Sequence, residues 1–317
     1  MIFSNRGTKR EPIRLLLSVV RLFWFGFYVV GVHRTLLRLA IACVLVVVGW
    51  GSSASAWDTT AGSDTNYGSI TFGSTTIDFG YGLAVDGAGN VYATGAEGNA
   101  AFVTKRNAAG ALEWATTFGT SESRGYGVAV DSAGNVYATG YFTGRINMPS
   151  PPNIVADSED VFVTKYNASG VLQWIKKIGG DGSDLGRGVA VDSAGNVYVA
   201  GTFTGTVDFG AGDVDSAGGG DVFVTKLNTA GAHQWTTTFG GTGDETVYGL
   251  ALDSAGNVHT TGYFEGTVNF GAGNVTAVNA DAYVTKLNTA GAHQWTTTFG
   301  GTSGEVGRGV AVDGSGN

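Results

Sequence analysis

The chain has 317 residues, of which 53 are glycine and four are proline. It carries 18 basic and 26 acidic side chains, which gives a formal net charge of −8. Nucleic-acid binding relies on basic side chains that neutralise phosphates, so this charge disfavours it. The single cysteine excludes a disulfide framework, so stability must come from packing.

Residues 1–56 differ in composition from the rest of the chain. They hold seven of the 18 basic residues, only one acid, and the apolar run 39–48. Ala54-Ser55-Ala56 then provides small residues where a signal peptidase reads them, which predicts a signal peptide cleaved after Ala56. A retained membrane segment stays open as an alternative, because residues 22–32 form a second apolar run. Cleavage would leave 261 residues with 11 basic and 25 acidic side chains, a net charge of −14 and no membrane attachment.

Residues 57–317 are predicted to form one repeat domain. The segment 57–73 ends in Ile70-Thr71-Phe72-Gly73, which repeats the ending Thr237-Thr238-Phe239-Gly240 of a later unit. This segment is therefore expected to be a closing strand that completes a sheet begun at the other end of the chain, where its pairing removes an exposed edge.

A unit of about sixty residues then recurs along the chain. Four full repeats occupy 82–301, and a partial fifth, 309–317, stops inside a loop, so the sequence is expected to be a truncated ring from a longer protein. Two anchors agree on the period. They are the aspartates Asp86, Asp131, Asp192, Asp253 and Asp313, and the tryptophans Trp114, Trp174, Trp235 and Trp295.

Each unit alternates apolar and polar residues with period two, which predicts four short antiparallel strands, a to d. In the third unit these are 189–192, 196–203, 222–227 and 233–239. The a–b link, Asp192-Ser193-Ala194-Gly195-Asn196, has the residues of a tight hairpin turn. A lone four-stranded sheet cannot bury both faces, so the units are predicted to pack radially as blades of an all-β propeller. One Trp per unit is interpreted as a packing anchor between blades.

The repeated run G-[VL]-A-[VL]-D-x-x-G-N-V-Y-x-x-G, followed by [VA]-[FY]-V-T-K-x-N and W-x-x-x-[FI]-G, resembles the bacterial seven-bladed β-propeller (SBBP) repeat family. It is similar, less closely, to the NHL-type propeller repeats. The resemblance covers about residues 70–317. It implies a propeller in a secreted or surface-exposed bacterial protein, in a family without an agreed enzymatic activity.

The loops of a four-stranded meander alternate between two ends of the sheet. The a–b and c–d loops are short and similar in every unit, whereas the b–c and d–a loops carry nearly all the variation. Binding of a protein or a glycan is therefore expected on the b–c and d–a face. On that face, the position before the repeated glycine is occupied by Tyr81, Tyr126, Arg187, Tyr248 and Arg308. If strand a is innermost, these side chains line the channel mouth, where they would stack on a sugar or hold an anion. The favoured alternative is that they only cover the end of the core.

The acids of the third b–c loop are the one candidate metal set, with calcium as the ion. They are Asp208, Asp213, Asp215 and Asp221. The set lacks the spacing D-x-[DN]-x-[DN]-G, so a solvated loop is the favoured interpretation, and no other cofactor is expected.

Catalytic patterns are mostly absent from the sequence. His233 and His293 stand where other units have Leu112 and Leu172, and no H-E-x-x-H motif or phosphate loop occurs. The expected function is an exported, non-enzymatic interaction module. The alternatives are a secreted propeller enzyme, such as a polysaccharide lyase or hydrolase with its site at the channel mouth, and a purely structural envelope component.

Overall fold

The computed structural model describes residues 78–147, 153–313 and 315–317, and every regular element in them is a β-strand. Four antiparallel four-stranded sheets follow one another along the chain, which confirms the predicted all-β propeller blades. The first blade contains β1 (Asp78–Val85), β2 (Val91–Glu97), β3 (Ala100–Arg106) and β4 (Leu112–Phe118). The second contains β5 (Ser123–Val130), β6 (Val136–Ile146), β7 (Ile154–Tyr166) and β8 (Leu172–Ile178).

The third blade contains β9 (Leu185–Val191), β10 (Val197–Phe203), β13 (Asp221–Leu227) and β14 (His233–Phe239). Its b–c connection forms a separate two-stranded ribbon, β11 (Thr206–Asp208) and β12 (Asp213–Asp215). The fourth blade contains β15 (Glu245–Leu252), β16 (Val258–Asn269), β17 (Asn274–Leu287) and β18 (His293–Phe299). The first strand of each blade is called strand a, and the next three are strands b, c and d.

The a–b turns have the chemistry predicted from the sequence. Asp192 Oδ1 accepts hydrogen bonds from the backbone N–H groups of Ala194 at 3.0 Å and Asn196 at 2.9 Å. Gly195 has a φ of +81°, which glycine adopts without steric cost. The c–d turns use Asn228 and its equivalents in the same way. Because these bonds are local, the same turn recurs in every unit.

One expected strand boundary is wrong. Strand a of the third blade begins at Leu185 rather than at residue 189, because Leu185 and Gly186 already pair with β10. Strands b and c are longer in the second and fourth blades than in the third, because the pairing of β6 with β7 extends to Ile146 and Ile154, and that of β16 with β17 extends to Asn269 and Asn274. Much of the described part of the b–c segments there is therefore paired strand instead of loop.

The apolar core lies between the blades as three separate layers. Each layer combines residues of two consecutive blades, so neighbouring sheets share one core. Fully buried members include Tyr92 and Phe162 in the first layer, Val163 and Phe223 in the second, and Phe264 in the third.

The repeated tryptophan joins blades, as predicted. The Nε1–H of Trp114 donates to Ala168 O in the second blade at 3.2 Å, and that of Trp174 donates to Thr229 O in the third blade at 3.1 Å. Trp235 bonds Thr289 O at 3.1 Å in the same way.

The structure describes the C-terminal partial repeat that the sequence predicted, but not the predicted N-terminal segments. The expected signal peptide, 1–56, and the expected closing strand, 57–73, lie outside the described residues. The described part of 309–317 contains no strand, but Asp313 N–H donates to Asn317 O at 2.8 Å, which forms the fifth a–b turn. Within the described residues, no helix has the length and apolar character needed to cross a membrane.

Candidate functional site

The five predicted ligand-binding residues come together in one continuous row. Strands β1, β5, β9 and β15 contact one another in chain order and are the innermost strands of their blades. We call the five side chains on these strands and on the segment after β18 the Tyr–Arg row. Its members, in order, are Tyr81, Tyr126, Arg187, Tyr248 and Arg308.

The row lies midway along the innermost strands, not immediately before them, because strand a begins earlier than expected. At each of its first four members the pairing with strand b skips one residue, so that the member sits in a β-bulge. A bulge leaves its extra residue outside the ladder and turns the side chain away from the regular alternation. The bulges therefore direct four side chains of different blades toward one another.

Glycines on strand b opposite each bulge, and directly after each bulge residue, permit this arrangement. A Cβ at Gly140 would lie 1.8 Å from Arg124 O, and a Cβ at Gly262 would lie 1.7 Å from Thr246 O. The glycine that follows each row residue allows neighbouring strands to approach. A Cβ at Gly127, for example, would lie 3.0 Å from Val189 N of the next blade. The repeated glycines thus bring the innermost strands together.

The row begins with two neighbouring rings and alternates rings and cations from Tyr126 onward. The rings of Tyr81 and Tyr126 meet edge to face with centroids 5.1 Å apart. The guanidinium carbon of Arg187 lies 4.8 Å from the centroid of Tyr126 and 5.8 Å from that of Tyr248. The guanidinium carbon of Arg308, the last member of the row, lies 4.8 Å from the centroid of Tyr248. These distances are those of cation–π pairs.

The cations of the row have no acidic partner among the described residues. Neither Arg187 nor Arg308 forms an ion pair there, and the buried Nε of Arg187 has no hydrogen-bond acceptor. Burial raises the pKa of Tyr126, and the Arg187 guanidinium acts against this rise. By contrast, Arg124, which lies on β5 with Tyr126, forms an ion pair with Glu122 at 2.6 Å. The row is thus a local concentration of unpaired positive charge in an acidic chain.

The four acids predicted as a calcium set do not meet. Asp208, Asp213 and Asp215 are exposed on the ribbon β11–β12, whereas Asp221 is buried at the start of β13. The carboxylate of Asp208 accepts the backbone N–H groups of the ribbon's own turn. In the part of the chain that the structure describes, no three His, Cys, Asp or Glu side chains are grouped to hold a metal ion.

A second group of acids, which was not expected from the sequence, lies between neighbouring units. Each pair combines an acid of strand c with an acid of the next unit, close to where strand a begins. The pairs are Asp160 with Asp184, Asp221 with Glu245, and Asp281 with Glu305. Burial raises the pKa of Asp184 to about 6. Burial, together with the nearby Asp221, raises the pKa of Glu245 to about 7. The recurrence of these acids at equivalent positions of the repeat was the available signal.

His233 and His293, which replace the leucines of the first two units, contact a threonine of strand d and a glycine of the b–c hairpin. His233 Nε2 lies 3.0 Å from Thr236 Oγ1, and a Cβ at Gly210 would lie 2.8 Å from His233 Cβ. His293 has the same relation to Thr296 and Gly271. The b–c hairpin tips therefore fold back against strand d, where these histidines contact them.

Two shallow cavities lie away from the row. One, of about 390 Å³, is lined by the b–c turn and the d–a loop of the first blade, including Glu97 and Thr120. The other, of about 320 Å³, lies between the a–b turns of the third and fourth blades, at the opposite ends of the strands. Neither of these two cavities contains a residue of the Tyr–Arg row.

Three segments of the chain match the family model described as the SBBP β-propeller repeat, namely 113–144, 173–205 and 234–263. Two curated proteins are similar in sequence. An uncharacterized WD repeat-containing protein of Acanthamoeba polyphaga mimivirus is 27% identical over 49% of this chain and 14% of its own length. The regulatory protein FlaEY of Caulobacter vibrioides is 28% identical over 51% of this chain and 18% of its own length. The chain thus spans less than a fifth of each relative.

Two solved structures are also similar, each at 10% sequence identity. A protein of unknown function from Bacteroides caccae has a TM-score of 0.34 and is matched over 72% of this chain and 85% of its own. Virginiamycin B lyase from Staphylococcus aureus has a TM-score of 0.33, with 70% and 69% coverage. Neither likeness identifies an activity.

Proposed function

We propose that this chain, three segments of which match the SBBP β-propeller repeat, is an exported, non-enzymatic interaction module whose Tyr–Arg row binds acidic side chains of a protein partner. The composition of residues 1–56, with its basic residues, apolar run and Ala-Ser-Ala site, supports export from a bacterial cell and display outside it. The innermost strands then serve as the scaffold that holds the binding residues.

The observation that carries this proposal is the state of Arg187. Its guanidinium is held between two tyrosine rings, its buried Nε has no acceptor, and it has no carboxylate partner among the described residues. A buried donor without an acceptor is costly, and a carboxylate is the partner that a guanidinium binds best. A partner that brings a carboxylate to the row would remove that cost.

The geometry favours a protein partner over a glycan. Sugars bind aromatic rings by stacking on their faces, but Arg187 and Arg308 already lie over the ring of Tyr248, and Arg187 also lies over that of Tyr126. The polar edges of the row, namely hydroxyl and guanidinium groups, are what remain for a ligand. The two curated relatives, one named for WD repeats and the other as a regulatory protein, are consistent with binding of proteins.

A catalytic role has less support. Groups with strongly shifted pKa values often mark active sites, and Asp184 and Glu245 have such shifts. Both side chains are 0% exposed between blades, however, so a substrate does not reach them. The polysaccharide lyase or hydrolase alternative would require an accessible acid at the row, and the row's five members include none.

The test uses a labelled glutamate-rich peptide and the whole chain, with binding measured by fluorescence anisotropy at low ionic strength. We expect Arg187→Gln to weaken binding by about tenfold, because a charge-assisted hydrogen bond contributes about 1.5 kcal/mol or more. Arg145→Gln is the matched control, since Arg145 is an exposed arginine on β6 outside the row. Arg308→Gln, at an exposed position, repeats the test without touching a buried group.

Polygalacturonate, an acidic glycan, is titrated in parallel. If the glycan binds in an Arg187-dependent way and the peptide does not, the row recognises acidic sugars and the choice of a protein partner is wrong. If Arg187→Gln and Arg145→Gln weaken binding equally, the peptide senses only net charge and the row is not the site.

A further inference from the structure

The three junctions between consecutive blades differ in their buried acids. The first junction has Ala100 and Ser123 at the two acid positions and is neutral. The second has Asp160 and Asp184, both 0% exposed. The third has Asp221, 4% exposed, and Glu245, 0% exposed. Two carboxylates in a buried site repel each other and lose hydration, so their charge requires compensation.

The second junction contains its own cation. The Nζ of Lys177, on β8, forms an ion pair with the buried carboxylate of Asp160. Lys177 reaches it because it is paired with Phe162, which lies two residues after Asp160 on strand c. The lysine itself is one-third exposed, so the junction is open to solvent on that side.

The third junction has no such cation. Thr238 is paired with Phe223 and so occupies the register position of Lys177. Neither Asp221 nor Glu245 forms an ion pair within the described residues. The third junction therefore has the two acids of the second junction but lacks the positive charge that balances them there.

Each of these two acids also has one oxygen without a partner. Asp221 Oδ2 accepts the N–H of Ala217 at 2.9 Å, and Glu245 Oε2 accepts the N–H of Gly241 at 2.8 Å. The other oxygens, Oδ1 of Asp221 and Oε1 of Glu245, are buried and accept no hydrogen bond. Both carboxyls flank the Gly240-Gly241 pair, since a Cβ at Gly240 would lie 2.1 Å from Asp221 Cγ.

We propose that the third junction binds a calcium-type divalent cation between Asp221 and Glu245, in the place that Lys177 takes in the second junction. Calcium accepts six to eight oxygen ligands of mixed origin, so the two free carboxyl oxygens are completed by backbone oxygens and water. Asp244, exposed beside Glu245, adds negative charge at the entrance. Because only two carboxylates contribute, we expect an affinity in the range of extracellular modules, about 0.1 to 1 mM.

This site differs from the calcium set expected from the sequence. It retains Asp221 but replaces the three ribbon acids by Glu245 of the next blade. A cation here would join the third and fourth blades, since its two ligands belong to different sheets. Metal binding would therefore increase the cooperativity of the two blades rather than build a surface loop.

The experiment is a calorimetric titration of the whole chain with calcium chloride, together with thermal melts with and without about 5 mM calcium. We expect the wild-type Tm to rise by about 2 °C or more in calcium. Thr238→Lys supplies the missing cation from the chain, so this variant should bind one calcium fewer and melt nearly independently of calcium at this junction. The double change Asp221→Ala with Glu245→Ser copies the first junction and should lose the same site.

Lys177→Thr is the converse variant, and we expect it to gain a calcium site at the second junction. The proposal is contradicted if the wild type binds no calcium, or if the number of bound calcium ions is the same in the wild type, Thr238→Lys and the double variant. It is also contradicted if lowering the pH stabilises the wild type relative to the double variant while calcium at neutral pH does not, because a proton then balances the charge. If Thr238→Lys does not fold, the double variant decides the question, since its residues already occur together in the first junction.

Discussion

Two sets of carboxyl groups in the same repeat have opposite electrostatics. The turn aspartates, such as Asp192, lie at the partly exposed a–b turns, and the junction acids, such as Asp184 and Glu245, are buried between blades. Burial acts to raise the pKa of Asp192, but hydrogen bonds from Asn196 and Tyr198 outweigh it and keep the pKa below its usual range. At the junctions burial prevails and the pKa rises.

The difference shows that the supply of hydrogen-bond donors, and not burial alone, determines the state of an acid in this fold. Asp192 accepts two backbone N–H groups, the side-chain amide of Asn196 at 2.8 Å and the Tyr198 hydroxyl at 3.2 Å. All four donors come from the same short turn and the strand after it. Glu245 receives one backbone N–H on one oxygen and nothing on the other. The turn acid is therefore a structural element, and the junction acid is a charge that needs a partner.

The largest expected effect comes from removing the hydrogen bonds that a turn aspartate accepts. Asp192→Ala removes the acceptor of four donors and leaves the buried Tyr198 hydroxyl unpaired. We expect a loss of about 3 kcal/mol in the free energy of unfolding, because each unsatisfied buried donor costs about 1 kcal/mol or more. Asp213→Ala is the control, since Asp213 is exposed on β12, and its cost should stay within about 0.5 kcal/mol. Urea denaturation measures both. Equal losses in the two variants would show that the turn does not depend on its aspartate.

The next effect concerns the pH dependence of the second junction. The pKa of Asp184 is about 6 in the folded protein and about 3.8 unfolded, so the folded state binds more protons between these values. Stability from this group is therefore present below about pH 4 and is lost as the pH rises through 6. Relative to Asp184→Asn, the wild type should lose on the order of 2 kcal/mol between pH 4 and pH 7.

This comparison is made by chemical denaturation at several pH values. The asparagine variant adds an offset that is independent of pH and leaves the turn aspartates unchanged, so the difference between the two curves isolates Asp184. Parallel curves from pH 4 to pH 7 would mean that Asp184 titrates normally and that the junction is more hydrated than its burial indicates.

The smallest effect comes from restoring the tyrosine that donates to the turn aspartate in the other units and is replaced in the fourth blade. In the fourth blade His259 takes the place of Tyr198, and its buried Nε2 lies 3.7 Å from Asp253 Oδ2 without a hydrogen bond. Burial and the nearby Lys286 lower the pKa of His259, which keeps it neutral. We expect His259→Tyr to stabilise the protein by about 1 kcal/mol, which raises Tm by about 2 to 4 °C.

The mirror change, Tyr198→His in the third blade, is the control for this prediction. It removes a hydroxyl donor from Asp192 and should lower Tm by a similar amount. If both variants shift Tm in the same direction, the hydroxyl contributes nothing specific and the size of the ring explains the result.

The local features of the fold were predictable from the sequence. The period, the a–b turns and strand d follow from short-range patterns, and the Nε1–H of Trp174, bonded across blades at 3.1 Å, confirms the interpretation of the tryptophans as anchors. The early part of strand a was missed because residues such as Leu185 and Gly186 have no strong strand propensity. They become a strand only because β10 supplies backbone partners.

The candidate site was predictable in its members but not in its arrangement. Alignment of the repeats identifies Tyr126 and Arg187 as equivalent, but nothing in the sequence shows the bulge that makes them neighbours. The junction pair Asp221 and Glu245 was missed because the two acids belong to different blades. Their proximity depends on how two neighbouring sheets pack, which no single repeat encodes.

The central claim, that the innermost strands bind the partner, is tested most directly by hydrogen–deuterium exchange of the whole chain with and without the glutamate-rich peptide. The account predicts slower exchange at the backbone amides around Tyr126 and Arg187 on β5 and β9, and no slowing in Arg187→Gln. Slower exchange confined to the b–c hairpins and to the ribbon β11–β12 would contradict it, because the partner would then bind the variable loops and not the row.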